Sequence, residues 1–184
     1  MLNMETPRLT LRNFRPEEDG NPLREMIVQY MSSPYGKYDH PWPTSEEGIQ
    51  GACDWFASGD QYLAVCLKES GRFIGYVCLN PTDEQGVYNI GYCFDFREHG
   101  KGYALESCRT LMAYAFQELK AAKIITGTAA ANEPSCKLLN RLGMRPVRES
   151  TGSFSNDADG NPIVFAGYEF ELTREAWDGY INAT

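Results

Sequence analysis

The stretch Tyr88-Asn89-Ile90-Gly91-Tyr92-Cys93-Phe94-Asp95-Phe96, continued by Arg97-Glu98-His99-Gly100-Lys101-Gly102-Tyr103-Ala104, decides how the chain is read. It predicts a strand, a glycine turn and a helix, in that order. Gly100 and Gly102 carry no Cβ, so the backbone can turn tightly there and approach a ligand closely. The first turn of the following helix leaves N–H groups without intrahelical acceptors, and these point back at whatever occupies the turn. Such an arrangement can cradle phosphate oxygens. Leu105, Cys108, Leu111, Met112, Ala115, Phe116 and Leu119 recur at three- and four-residue intervals, with Glu106, Arg109, Gln117 and Glu118 on the other side. That spacing predicts a helix with one core-facing stripe, ending near Leu119. A glycine turn alone is equally the mark of a connection that binds nothing, so its neighbours decide the matter.

Downstream, Ile124-Ile125-Thr126-Gly127-Thr128 reads as a short apolar strand, and Asn132-Glu133-Pro134-Ser135 opens a helix closed by Arg141-Leu142-Gly143. Asn132 suits the N-cap and Gly143 the position just past the C-terminus. Upstream, Gln61 to Leu67 and Phe73 to Asn80 are strands joined across Lys68-Glu69-Ser70-Gly71-Arg72, and Pro81 to Gly86 turns into the decisive strand. The result is an antiparallel meander. Nearer the N-terminus, Leu9 to Phe14 is expected as an edge strand and Arg15 to Gly20 as a turn. Asn21 would cap a helix that has Pro22 at its first position and runs to Met31. Ser32 to Pro43 is crowded with rings and breakers and predicts no regular element. Thr44 and Glu47 form a capping-box pattern for a helix that buries Ile49, Cys53 and Phe56. Met144 to Glu149 and Ile163 to Leu172 are the last strands. Asp157-Ala158-Asp159-Gly160-Asn161, between them, is a hairpin turn and not a calcium loop, because the acidic ligand that ends such a loop is missing. These elements give an α+β layer fold, with a mixed, mostly antiparallel sheet of about seven strands and about four main helices.

The 184 residues contain no repeat, linker or low-complexity run, which predicts a single domain over residues 6–174 with 175–184 as a short C-terminal extension. Met1 to Glu5 lacks the apolar core of an export signal, and no uninterrupted apolar run is long enough to cross a bilayer. A soluble, cytoplasmic protein without membrane contact is expected. The six cysteines are scattered and never spaced C-x-x-C, which predicts reduced thiols and no metal site. A formal charge of −8 argues against binding a nucleic-acid backbone and is compatible with a cationic partner.

With both motifs in place, the sequence resembles the GCN5-related N-acetyltransferases, within them the ribosomal-protein N-terminal acetyltransferase-like branch. The first family pattern, a Glu-Ile-Gly-Tyr strand followed by Gly-Lys-Gly-Tyr-Ala, stands here as Asn89-Ile90-Gly91-Tyr92 and Gly100-Lys101-Gly102-Tyr103-Ala104. The second, Asn-x-x-Ser with Gly eight residues after the Ser, stands as Asn132, Ser135 and Gly143. The likeness extends from Thr6-Pro7-Arg8-Leu9 to Leu172-Thr173-Arg174-Glu175-Ala176-Trp177. It implies the acyl-CoA N-acyltransferase fold and a direct transfer of acetyl from acetyl-CoA, the co-substrate, to a primary amine on a peptide N-terminus or a small molecule.

Such a transfer needs a held thioester, a polarised carbonyl, a deprotonated amine and a proton for the departing thiolate. The resemblance implies that backbone N–H groups from His99 through Gly100, Lys101, Gly102 and Tyr103 to Ala104 take the pyrophosphate, with the Lys101 side chain adding charge. It implies that Tyr92, Cys93 and Phe94 line the pantetheine arm and that one of their N–H groups polarises the thioester. Asn132 and Ser135 match cofactor-contacting positions, and Ser135 is the nearby hydroxyl able to protonate sulfur. Many relatives use a Tyr one turn later, where this chain has Leu139. The family's Glu is replaced by Asn89, which cannot take a proton. That leaves His40, Glu84, Asp95 or a water held by Asn89 and Tyr92 as the base. The ringed tract with Tyr35, Tyr38, His40 and Trp42 is expected on the acceptor side, where rings can enclose an ammonium group. The missing Glu also admits a non-catalytic acyl-CoA-binding or sensor module, as a monomer or homodimer.

Overall fold

Along the strand Tyr62–Leu67, Leu63 and Val65 join one buried apolar cluster, and Ala64 and Cys66 join another. Alternate residues of a strand point to opposite faces, so this sheet is buried on both sides. In the computed structural model, which describes residues 1–183, eight strands form one sheet. In chain order they are β1 (Asn3–Glu5), β2 (Leu9–Asn13), β3 (Tyr62–Leu67), β4 (Phe73–Pro81), β5 (Val87–Phe94), β6 (Lys123–Ala129), β7 (Arg145–Gly152) and β8 (Phe165–Thr173). Across the sheet the order is β1-β2-β3-β4-β5-β6-β8-β7, and every neighbouring pair is antiparallel except β5 and β6. A parallel pair needs a crossover, and the helix α3 (Tyr103–Gln117) supplies it. The helices α1 (Pro16–Met31) and α2 (Glu46–Ala57) cover one face of the sheet, burying Leu23, Ile27, Ile49, Cys53 and Phe56. The helices α3 and α4 (Glu133–Arg141) cover the other, with Leu111, Met112, Phe116 and Leu139 inside.

Among the described residues, five α-helices and eight strands thus stand where about four main helices and about seven strands were expected. The extra strand is β1, which pairs with β2 over three positions and takes the edge from it. The extra helix is α5 (Arg174–Ala183), in the segment expected as a short extension. Thr184 lies outside the described residues. Trp177 of α5 is 2% exposed and stacks on Phe116 with ring centroids 5.4 Å apart.

Two helix starts also differ from expectation. The helix α1 begins at Pro16 instead of near Pro22, so the acidic run expected as a turn is its first turn. The reason is a distant partner. Asp19, 1% exposed, accepts hydrogen bonds from the Arg15 N–H at 2.7 Å and from the Arg12 guanidinium at 2.7 and 2.9 Å. Those bonds fix the first turn, and Pro16 costs nothing at its start. Asn21 caps nothing, and Pro22 sits inside the helix. The cap of α2 is Ser45 and not Thr44; its hydroxyl accepts from the Gly48 N–H at 3.2 Å. In the ringed tract a single 3-10 turn forms, Gly36–Tyr38. At the far hairpin, Asp157 Oδ1 accepts the N–H groups of Asp159 and Asn161 at 2.9 and 2.8 Å, a turn closed by its own side chain.

Because Trp177 fills the space above α3, Trp177→Ala should cost about 3–5 kcal/mol. For a chain of this size that lowers the melting temperature by roughly 10 °C, measurable by circular dichroism. A change within about 2 °C would show that the helix packs loosely.

Candidate active site

The strands β5 and β6 pair through three residues only, Val87 with Lys123, Tyr88 with Ile124 and Asn89 with Ile125. Beyond them β5 keeps to β4 as far as Gly75–Phe94, and β6 keeps to β8 as far as Ala129–Gly167. Strands held by different neighbours diverge, and a gap opens between Ile90–Phe94 and Thr126–Ala129. Those residues line a cavity of about 780 Å³. Past Asn89, the backbone groups of β5 that point away from β4 have no strand partner among the described residues. An unpaired strand edge inside a cleft is a template for an extended chain.

The glycine turn closes one end of the gap. Gly100 and Gly102 have φ of +77° and +83°, the left-handed region that glycine enters without strain. A Cβ on Gly100 would meet nothing within 4 Å, so that face of the turn is open to a ligand. Gly102 is the N-cap of α3 and offers no capping side chain, leaving the first-turn N–H groups of Tyr103 and Ala104 turned to the cavity they line. The partial positive charge of that helix end suits an anion.

Ion pairs brace the turn. Asp95 accepts the Arg97 N–H at 2.9 Å and pairs with its guanidinium at 2.5 Å, which holds the Asp95 carboxyl below its usual range. Glu98, 6% exposed, accepts from Lys101 at 2.9 Å and from Arg72 at 2.8 Å, and it too is held low, by Lys101 first. The Lys101 ammonium is therefore drawn back onto Glu98, and the backbone of the turn faces the cavity instead. Arg8 donates to the Lys101 carbonyl at 2.9 Å, pairs with Glu106 at 2.6 Å and lies over the Tyr103 ring at 4.6 Å. His99 bonds the Phe94 carbonyl at 3.1 Å, tying the turn to the end of β5.

Facing this end, α4 begins at Asn132, whose side chain accepts the Ser135 N–H at 3.2 Å. The Ser135 hydroxyl shares a 2.8 Å hydrogen bond with the Tyr92 hydroxyl, which reaches across from β5. Burial pushes the Tyr92 phenol well up, so the pair is neutral and holds exchangeable protons. Burial, helped by the charge of Asp39, pushes the Cys93 thiol up to about 12, so it is no thiolate near neutral pH. Leu139 is buried in the core, away from the role a Tyr would have there.

Across the cleft Tyr35, Tyr38 and Trp42 line the cavity, joined by Tyr30, Tyr62 and Tyr76. Phe165 meets Tyr38 edge-on at 5.3 Å and roofs this side. His40 is exposed and is not among the lining residues. Glu84 lies in an exposed turn outside the cavity, and Asp95 is committed to Arg97. Asn89 is exposed at the point where the strands part and lines the cavity. No motif assigned a role to Arg8, Glu98 and Glu106, which brace the turn, or to Asp39 and Glu169, which with Glu98 are the carboxylates in the cavity wall. For Arg8 a signal existed in the Thr6-Pro7-Arg8-Leu9 run; Glu169 had none, since nothing in one strand tells which sheet neighbour faces a gap.

Comparison with known proteins agrees with this geometry. Residues 8–145 match the family model described as an acetyltransferase (GNAT) domain. An uncharacterized N-acetyltransferase of Bacillus subtilis, YnaD, is 30% identical over 180 residues, covering 96% of this chain and all of its own length. The uncharacterized N-acetyltransferase p20 of Bacillus licheniformis is 31% identical over 153 residues, covering 79% of this chain and 83% of its own. Among solved structures, a GNAT-family acetyltransferase from Bacillus anthracis superposes with a TM-score of 0.80 at 23% identity, over 95% of this chain and 99% of its own. A ribosomal-protein-S5-alanine acetyltransferase from Vibrio fischeri shares the fold with a TM-score of 0.76 at 16% identity, over 96% and 99%. With its parted strands, its open glycine turn and a family match over most of its length, the chain belongs to the GCN5-related N-acetyltransferases, enzymes that move an acetyl group from acetyl-CoA to an amine.

Proposed function

We propose that this protein transfers acetyl from acetyl-CoA directly to a primary amine that enters from the ring-lined side of the cleft. The observation that carries the reading is the gap between β5 and β6, with an unpaired strand edge on one wall and an uncapped helix start at its end. The chain's own groups fit the cofactor. The turn from His99 to Ala104 would hold the pyrophosphate by backbone N–H groups, and the free edge of Tyr92, Cys93 and Phe94 would pair with the amides of the pantetheine arm. Bound there, acetyl-CoA supplies an activated acyl group as a thioester.

A main-chain N–H on the free edge of β5 would donate to the carbonyl oxygen as negative charge builds on it. A donor of this kind lowers a barrier by roughly 3 kcal/mol. The hydroxyl pair of Ser135 and Tyr92 holds the proton that the departing sulfur requires, with Ser135 as donor and Tyr92 resupplying it through their 2.8 Å bond. Asn132 keeps Ser135 in place by capping α4. Asn89 cannot act as a base, but its exposed amide can order water where the strands part.

Acetyl-CoA at about 100 times its dissociation constant should stabilise the fold by about 2.7 kcal/mol. That raises the melting temperature by roughly 5–10 °C for a chain of this size. Gly102→Val, which forces a branched side chain into a left-handed conformation, should erase the shift; an unshifted wild type would overturn the cofactor assignment. Turnover, read as free thiol release against peptides, polyamines, amino acids and aminoglycosides, should fall about 100-fold in kcat for Ser135→Ala, with KM for acetyl-CoA little changed. Tyr92→Phe should give a smaller loss that does not add to it. Binding without any thiol release would instead favour a sensor module.

Direct transfer leaves no place for an acetylated cysteine, and the raised Cys93 thiol accords with that. Cys93→Ala should retain turnover within about threefold. An acetyl group trapped on Cys93, seen by mass spectrometry, would contradict the mechanism.

A further inference from the structure

Three carboxylates line the cavity: Asp39, Glu98 and Glu169. Glu98 is taken by Lys101 and Arg72, and Glu169 by Arg148 at 2.5 Å. Asp39 is different. Among the described residues no Lys, Arg or His forms an ion pair with it, and the nearby Lys37 lies over the Tyr38 ring at 5.0 Å instead. A half-buried carboxylate that has only neutral hydrogen-bond partners in a concave wall gains most from a cation that arrives with the ligand.

Its placement is fixed. Asp39 follows the 3-10 turn Gly36–Tyr38 with φ −126° and ψ 163°; its Oδ1 accepts the His40 N–H at 2.7 Å, and its carboxylate also accepts from the Tyr30 hydroxyl, partners that orient the group while leaving its charge uncompensated. Its charge acts inward across the cleft: after burial, it is the next influence raising Tyr30 and Cys93, and it also raises Tyr76 and Tyr62, the latter pushed up to about 12. Those phenols are neutral and present rings, which attract a cation and accommodate its hydrocarbon body. The cleft is thus polarised. Helix-start N–H groups suit an anion at one end, and a carboxylate among rings waits at the other.

Building on the transferase reading, we infer that Asp39 anchors the acceptor, which enters as a positively charged alkylammonium carrying an apolar or aromatic body. Neutral acceptors of the same shape, and anionic ones, lack the group that this wall is built to meet.

The test uses the full chain, with and without saturating coenzyme A, and two probes of equal shape, 2-phenylethylammonium and 2-phenylethanol, titrated by calorimetry. The wild type should bind the ammonium about tenfold or more tightly than the alcohol. Asp39→Asn should bring the two within about twofold, while His40→Ala leaves the preference intact. Retention of the acetyl-CoA melting shift in Asp39→Asn would establish that the fold and the cofactor end are unharmed. Equal affinity for the two probes in the wild type, or an undiminished preference in Asp39→Asn, would overturn the inference. A wild type that prefers the ammonium yet takes up no acetyl-CoA would sustain the ammonium site and overturn the transferase reading alone.

Discussion

The structure depends on the brevity of the parallel contact between β5 and β6. A strand edge carries backbone donors and acceptors that are costly to leave dry and unpaired. When β6, paired with β8 along its whole length, parts from β5 after three shared positions, the inner edge of β5 must find water or a ligand with amides of its own. The sheet therefore contains an opening in its middle, flanked by fully paired neighbours on each side. Rigid walls around an unsatisfied edge are what distinguish a binding cleft from a frayed sheet, and the buried alternation of β3 and β4 provides that rigidity.

Charge is organised to serve this opening, and not by simple attraction. The turn that faces an anionic ligand lies among acidic side chains, Asp95, Glu98 and Glu106, each neutralised by a neighbouring cation. The carboxylates work as struts, holding Arg97, Arg72, Lys101 and Arg8 in place so that the turn keeps its shape. What remains for the ligand is the fixed array of N–H groups at the start of α3, which needs no side-chain ordering on binding. A net charge of −8 thus coexists with a locally electropositive helix start at one end of the cleft.

How much of this was legible beforehand follows from the range of the interactions. The helix α3, the left-handed Gly100 and Gly102, the Asn132 cap and Gly143 with φ of +81° rest on contacts within a few residues, and the sequence carried them. The start of α1 was misread because Asp19 is held by Arg12 on a neighbouring strand, so an acidic run beside a proline had the chemistry of a turn until that partner was visible. The strand β1 is too short to show any alternation. In the site, the motif residues could be found by spacing. Asp39 could not, since a polar residue in an irregular tract shows its worth only when the rings of three other elements close around it.

The last helix carries a consequence for the order in which the protein is made. Trp177 stacks on Phe116 of α3, and the Tyr180 hydroxyl donates to the Arg141 carbonyl at the end of α4 at 2.8 Å. The two helices that bear the glycine turn and Ser135 are thus clasped together by residues synthesised after both. Chains emerge from the ribosome N-terminus first and fold by units as they appear. Here the meander from β2 to β5 can form early and set one wall of the cleft, but the wall made by β6 and α4 is not secured until β8 has paired with β6 and Tyr180 has docked. A nascent chain paused before that point would carry the whole glycine turn and no finished pocket, so its capacity to take up ligand would switch on only once this helix has docked.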